Sequence, residues 1–361
     1  MKKQIAVVAE KENDILNILK QVPEIEVTVF HPDGLASHDL SPYEAFILLG
    51  GTRETACLFN CADRPAIEAE IAKGKRVFAE FYGSIGPYQY FLDNQSTRYS
   101  RMIYVNPDNM VDGLDFGDIL EEQCNVYTPK HAPTKNRKSI LITQKHICAH
   151  DHVLPTQEEI QPENVQTLWL EQDNLMICTF RMCNFIRACF APKKKWRKLV
   201  EFILSWVTGV TVDSSCIPDY YTQGHYQETE PFELQAEHTV SRAMKWFDEA
   251  GILLEEGKRG MQEGFGTEIY PDGTRRRTFN IRDDCMGEVG MMYAMDYVKN
   301  RTERSKQIAG NLFSYCYDYM QCKEKGPFHG MVGWTDSAWG VCYTHDTARL
   351  IVGELLQNLY L

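Results

Sequence analysis

The sequence predicts an α/β domain built on a parallel sheet, followed by an all-α part made of helical hairpins. Three observations carry the prediction. Compact apolar runs alternate with runs of helical spacing up to Gly86, the pattern of a parallel sheet with helices on its faces. Residues 213–234 are polar, with Pro218, Pro231 and three tyrosines, and read as a connector packed on a surface. From residue 235 to 361 the apolar period becomes that of helices.

The elements follow in order. QIAVVAE is a first strand, and DILNILKQV a helix in which Leu16, Ile18 and Leu19 are the apolar positions. IEVTVF and YEAFILLGG are strands, the latter ended by glycines. RPAIEAEIAKGK is a helix, with Pro65 in its first turn and Gly74 past its end. RVFAEFYGSIG is a strand running into a turn, NLMICTFRMCNFIRACFAP reads as paired strands, and KKKWRKLVEFILSWVTG as a closing amphipathic helix.

Beyond the connector, EHTVSRAMKWFDEAGILLEEG puts Val240, Met244 and Phe247 on one stripe, with Gly257 placed to cap. MGEVGMMYAMDYVKN, TERSKQIAGNLFSYCYDYM and HDTARLIVGELLQNLYL supply three more helices, two of them opening near Thr302 and Thr347. TEIY and RRTFNI flank the turn signature YPDG and form a β-hairpin.

Composition narrows the function classes. A net charge of -12 argues against a nucleic-acid partner, which needs a basic footprint. The longest apolar stretches fall well short of the roughly 20 residues of a membrane span, so no membrane is expected. MKKQIAVVAEKEND has too short an apolar core for a secretory signal. The expected compartment is cytoplasmic, or periplasmic or secreted if a signal was removed. The 12 cysteines are scattered without a C-x-x-C, and read as buried reduced thiols.

"YEAFILLGGT" with "IEAEIAKGKRVFAEFYGSIG" resembles the class I glutamine amidotransferase-like fold, a flavodoxin-like architecture. Gly74, Lys75 and Val77 match the approach to that family's nucleophile elbow, and Gly83 matches the elbow glycine. The resemblance covers residues 1 to 210. It implies the fold and denies the activity, because Phe81 stands where the family has its cysteine and a phenyl ring cannot attack a carbonyl. Glu80 and Ser84 are neighbours but do not occupy the slot, and the family's His and Glu have no clear counterpart.

"DGTRRRTFNIRDDCMGE" and "GWTDSAWGVCYTHDTAR" resemble loops of the six-hairpin glycosidases, the unsaturated glucuronyl hydrolase group among them, whose fold is an (α/α)6 toroid. That resemblance implies a glycoside hydrolase of carbohydrate metabolism acting on uronic-acid-containing oligosaccharides. Such chemistry needs a carboxyl proton donor and often a second carboxylate. Asp336, Asp346 and Asp284 are the candidate acids, with Asp283 beside them. Trp334, Trp339 and Tyr343 are candidate platforms for sugar rings. Arg282 and Arg349, with Arg275 and Arg276, are candidate clamps on a uronate carboxylate.

Taken singly, each residue also reads as structural, with Asp284 or Asp346 capping a helix and the tryptophans in a core. Taken together, the two loops read as a sugar site. A toroid needs twelve helices and about four are legible, so the module is expected to be incomplete, or to pair with another copy as a homo-oligomer. The alternative is a non-enzymatic ligand-binding or assembly protein with both domains catalytically silent.

Two smaller clusters read plainly. His146, His150, Asp151 and His152 form a polar strand end rather than a metal site, and Lys193 to Lys195 a solvated helix start. No metal or cofactor is expected.

Overall fold

The computed structural model describes residues 2–89, 95–96, 100–106, 108, 110–124, 126–127, 138–145, 166–219, 230–270 and 274–360. The chain divides into two compact units, Met1–Thr222 with Thr267–Arg276, and Gln223–Gly266 with Arg277–Leu361. The His146–His152 cluster lies outside the described residues.

The first unit runs β1 (Lys3–Ala9), α1 (Asp14–Lys20), β2 (Ile25–Phe30), β3 (Ala45–Leu49), α2 (Asp63–Ala72) and β4 (Arg76–Glu80). Then come β5 (Ser84–Ile85), β6 (Tyr88–Gln89), β7 (Gln95–Ser96), β8 (Ser100–Tyr104), β9 (Ile119–Leu120) and β10 (Val126–Tyr127). It closes with β11 (Lys138–Lys145), β12 (Gln166–Gln172), β13 (Leu175–Cys178) and α3 (Lys193–Thr208). A nine-stranded sheet has the order β2-β1-β3-β4-β13-β12-β11-β8-β9. It is parallel from β2 through β13 and antiparallel from β13 to β9.

Alternation along the central strands sorts side chains onto two faces. Ile5, Val7, Ile47, Leu49 and Phe78 pack with Ile15, Leu16 and Leu19 of α1 and with Trp196, Leu199 and Ile203 of α3. Ala6, Val8, Phe46, Leu48, Val77 and Ala79 face Ile67 and Ile71 of α2. This is the expected α/β domain, with an antiparallel extension that the sequence reading did not anticipate.

One expected strand is absent. Residues 183–189 form successive turns rather than a strand. The reason is hydrogen bonding: the amides of Met182 and Cys183 go to Glu80, and those of Ile186 and Arg187 to Asp14, which no sheet ladder would allow. The start of α3 also differs from expectation. Lys193 pairs with Asp219 at 3.3 Å and Lys195 with Asp118, so two of the three lysines are tied down.

The second unit holds α4 (Phe232–Glu249), most of β14 (Gln262–Ile269) and β15 (Arg275–Ile281), then α5 (Asp283–Asn300), α6 (Glu303–Tyr315) and α7 (Thr344–Tyr360). Its core joins Met286, Val289 and Tyr293 of α5 with Ile308, Leu312 and Phe313 of α6 and Leu350 of α7. Glycines draw α5 onto α7: a Cβ on Gly353 would lie 2.2 Å from the Gly287 carbonyl oxygen. No toroid is formed by these four helices, and α4 contributes no fully buried residue. No helix among the described residues is long and apolar enough to cross a membrane.

Candidate functional site

In the first unit, β4 runs from exposed Arg76 through three buried apolar residues to a buried charged one, Glu80. Glu80 is fully buried, and its carboxylate accepts the Met182 amide at 2.5 Å, the Cys183 amide at 2.9 Å and the Gly51 amide at 2.9 Å. Burial pushes its carboxyl above the usual range, and the three amides pull against that shift. Gly51 must be glycine here, because a Cβ would sit 2.1 Å from Glu80 Oε1.

Phe81 follows in the left-handed region, at φ 56, a conformation that a bulky side chain adopts only when its surroundings impose it. Those surroundings are explicit. The Phe81 amide donates to the Cys178 carbonyl at 2.8 Å and its carbonyl accepts the Cys57 amide at 2.9 Å, while Gly83 donates to the Cys57 carbonyl at 2.9 Å. The backbone thus makes a sharp strand-to-turn elbow, and a phenyl ring buried at 0% exposure fills its apex.

Among the described residues, the groups nearest Phe81 are poor substitutes for a nucleophile. Burial raises the thiols of Cys57, Cys178 and Cys183 above their ordinary range, and a thiol that stays protonated is a poor nucleophile. The Ser84 hydroxyl is taken by Arg64.

In the second unit, the structure brings several predicted residues together. Arg282 ends the hairpin and grips Asp284 through Nε at 3.0 Å and Nη2 at 2.8 Å. Its Nη2 also lies 3.4 Å from Asp346, which His345 Nε2 approaches at 3.0 Å. Arg349 Nη1 reaches Asp284 at 3.3 Å. Asp283 accepts the Asp284 amide at 2.9 Å and the Thr347 hydroxyl at 3.3 Å. Burial, with the charges of Asp284 and Asp346 adding to it, pushes Asp283 up to about 6.

The arrangement joins the first turns of α5 and α7, and its charges pair with one another. The Arg282 guanidinium lies 5.2 Å from the centre of the Trp334 ring, and Tyr343 meets that ring edge-on at 5.0 Å. Both partners occupy the ring that was expected to stack a sugar. Trp339 is exposed, and its backbone packs on Gly333.

Asp336 has a backbone role. Its Oδ1 accepts the Ile281 amide at 3.0 Å, and its own amide donates to the Ile281 carbonyl at 3.1 Å. Arg275 and Arg276 group with the first unit, where Arg275 Nη2 contacts Cys189 Sγ at 3.3 Å.

Sequence reasoning noticed Glu80 only as a neighbour of the elbow and passed over Asp14, whose carboxylate holds the Ile186 and Arg187 amides at 2.9 and 2.8 Å. The usable signal was an acid inside or beside an apolar run, since buried carboxylates are paired or hydrogen-bonded.

The first unit is therefore an α/β domain whose large sheet ends, after β4, in a sharp turn with buried Phe81 at its apex, and the second is a helical unit with an internal ion-pair network. No protein-family model and no curated protein matches the chain. Among solved structures, a Thermoplasma acidophilum protein assigned provisionally as one component of a GMP synthase is similar, at 9% identity and TM-score 0.36, over 57% of this chain and 96% of its own. A likeness that remote carries no argument about activity.

The expectation of a hydrolase or glycosidase of carbohydrate metabolism on a six-hairpin scaffold is corrected here. No family model or curated protein supports a carbohydrate enzyme, and the similar solved structure is not described as one. Physically, Asp284 and Asp346 are bound to arginine and Trp334 is covered, while the helices pack around α5 instead of forming toroid hairpins.

Proposed function

We propose that this chain is a non-enzymatic ligand-binding or assembly protein built on a catalytically silent amidotransferase-like domain. The observation that carries the reading is Phe81, held at φ 56 at the apex of the elbow and fully buried. The elbow keeps the strained backbone that presents a nucleophile, and the side chain in it has no nucleophilic atom. The test is ammonia release from glutamine by the full chain. No turnover is expected. Turnover abolished by replacing a residue other than Phe81 would overturn the reading.

Assembly into a homo-oligomer belongs to the same proposal. Ile351, Val352, Leu355 and Leu359 of α7 are all exposed, and an apolar helix face of this kind favours association. Sedimentation at micromolar concentration decides it, and a monomer that binds no apolar dye would contradict it.

A further inference from the structure

We propose that the cleft outside the carboxyl ends of β1 and β3 binds a small molecule through an oxyanion, a phosphate or a carboxylate. This rests on the reading of the first unit as a binding domain and names the chemistry of its ligand. The position comes from topology. β1 lies between β2 and β3. The helix after β1 packs on one face of the sheet and the helix after β3 on the other. Loops that leave adjacent strands toward opposite faces open a crevice, the ordinary ligand position in open α/β sheets.

A cavity of about 440 Å³ lies there, bordered by Glu10 and Lys11 after β1, by Thr52 to Thr55 after β3, and by Tyr270. That volume suits a small metabolite. The loop after β3 is held tightly. The Gly50 and Gly51 amides donate to the Glu80 carbonyl and carboxylate, both at 2.9 Å. Thr52 is therefore placed by the elbow itself.

Groups left unused on this lining can donate. Glu10 accepts Arg53 Nε at 2.8 Å, and a second Arg53 nitrogen lies 3.8 Å from Asp33, so these charges are matched. Glu54 is engaged as well. Lys11 is exposed and forms no ion pair among the described residues. Thr52 is 3% exposed and its hydroxyl has no hydrogen-bond partner among the described residues. A buried hydroxyl without a partner and a cation without a counter-ion share one remedy, a ligand that brings acceptor oxygens and negative charge.

The experiment is calorimetric titration of the full chain with inorganic phosphate and, separately, with succinate at low ionic strength. One of the two is expected to bind with a Kd of about 1 mM or tighter, and to weaken as salt is added. Phosphate alone would assign a phosphate-bearing ligand, and succinate alone a carboxylate-bearing one. Lys11→Met and Thr52→Val are each expected to weaken binding about tenfold or more. Lys11 is a surface residue, so if Thr52→Val does not fold, Lys11→Met decides by itself. No heat with either anion, or wild-type affinity in the variants, overturns the proposal. Ammonia release measured on the same samples reports separately on the silent-domain reading.

Discussion

Glu80 Oε1 accepts the backbone amide of Cys183 at 2.9 Å across 103 residues of sequence. This contact joins the end of β4 to the turns after β13, and the partner oxygen joins it to the loop after β3 through Gly51. Three buried amides thus depend on one carboxylate. Glu80→Ala is expected to destabilise the chain by about 3 kcal/mol or more, because each buried donor left unpaired costs about 1 kcal/mol or more. Glu80→Gln should be milder but still harmful, since its NH2 group must face a donor. Chemical denaturation of the three proteins checks the order.

Asp283 sets a pH dependence. Its carboxyl is pushed from an ordinary 3.8 to about 6, first by burial and then by Asp284 and Asp346. A raised folded-state value means that the stabilising contribution is complete below 3.8 and is lost as pH climbs through about 6. Asp283→Asn should flatten the stability profile between those limits and raise stability above them, on the order of 2 kcal/mol. Melting curves across that range would show it, and an unchanged slope in the variant would contradict it.

Glycines at the α5–α7 crossing are expected to be intolerant. A Cβ on Gly287 would come within 2.4 Å of Leu350 Cα, and one on Gly353 within 2.2 Å of a carbonyl oxygen, and backbone cannot step aside. Gly287→Ala and Gly353→Ala should each cost about 1–3 kcal/mol. Gly310, inside α6 with nothing within 4 Å of its virtual Cβ, is the control. Gly310→Ala should be stabilising by about 1 kcal/mol through helix propensity.

Thiol reactivity tests the closed elbow directly. Cys57, Cys178 and Cys183 are buried and shifted upward, whereas Cys61, Cys216 and Cys342 are exposed. Alkylation of the native chain at neutral pH, read by peptide mass spectrometry, should label the exposed thiols and leave the three buried ones until denaturant is added. Rapid native labelling of Cys57 would mean that the elbow region opens.

The sequence by itself determined the elements whose side chains repeat with a backbone period. The apolar runs of β1, β3 and β4 match fully buried parallel strands, and the apolar positions of α3, α5 and α6 match one-sided burial. It also identified Phe81 as an obstacle to chemistry, because residue type alone settles that a phenyl ring is no nucleophile. Arg282, Asp284, Asp346 and Arg349 were legible as a group for a similar reason, since charge and spacing at two helix starts are local properties.

Tertiary structure decided what those charges do. Whether a carboxylate serves a ligand or its own backbone depends on which donors reach it, and those donors come from distant segments. The Ile281 amide takes Asp336, Arg282 reaches Asp346, and residues 182–187 take Glu80 and Asp14. The same long-range competition replaced the expected strand after Cys178 with turns. A hydrogen bond between residues a hundred positions apart leaves no period in the sequence, so only the folded chain could assign it.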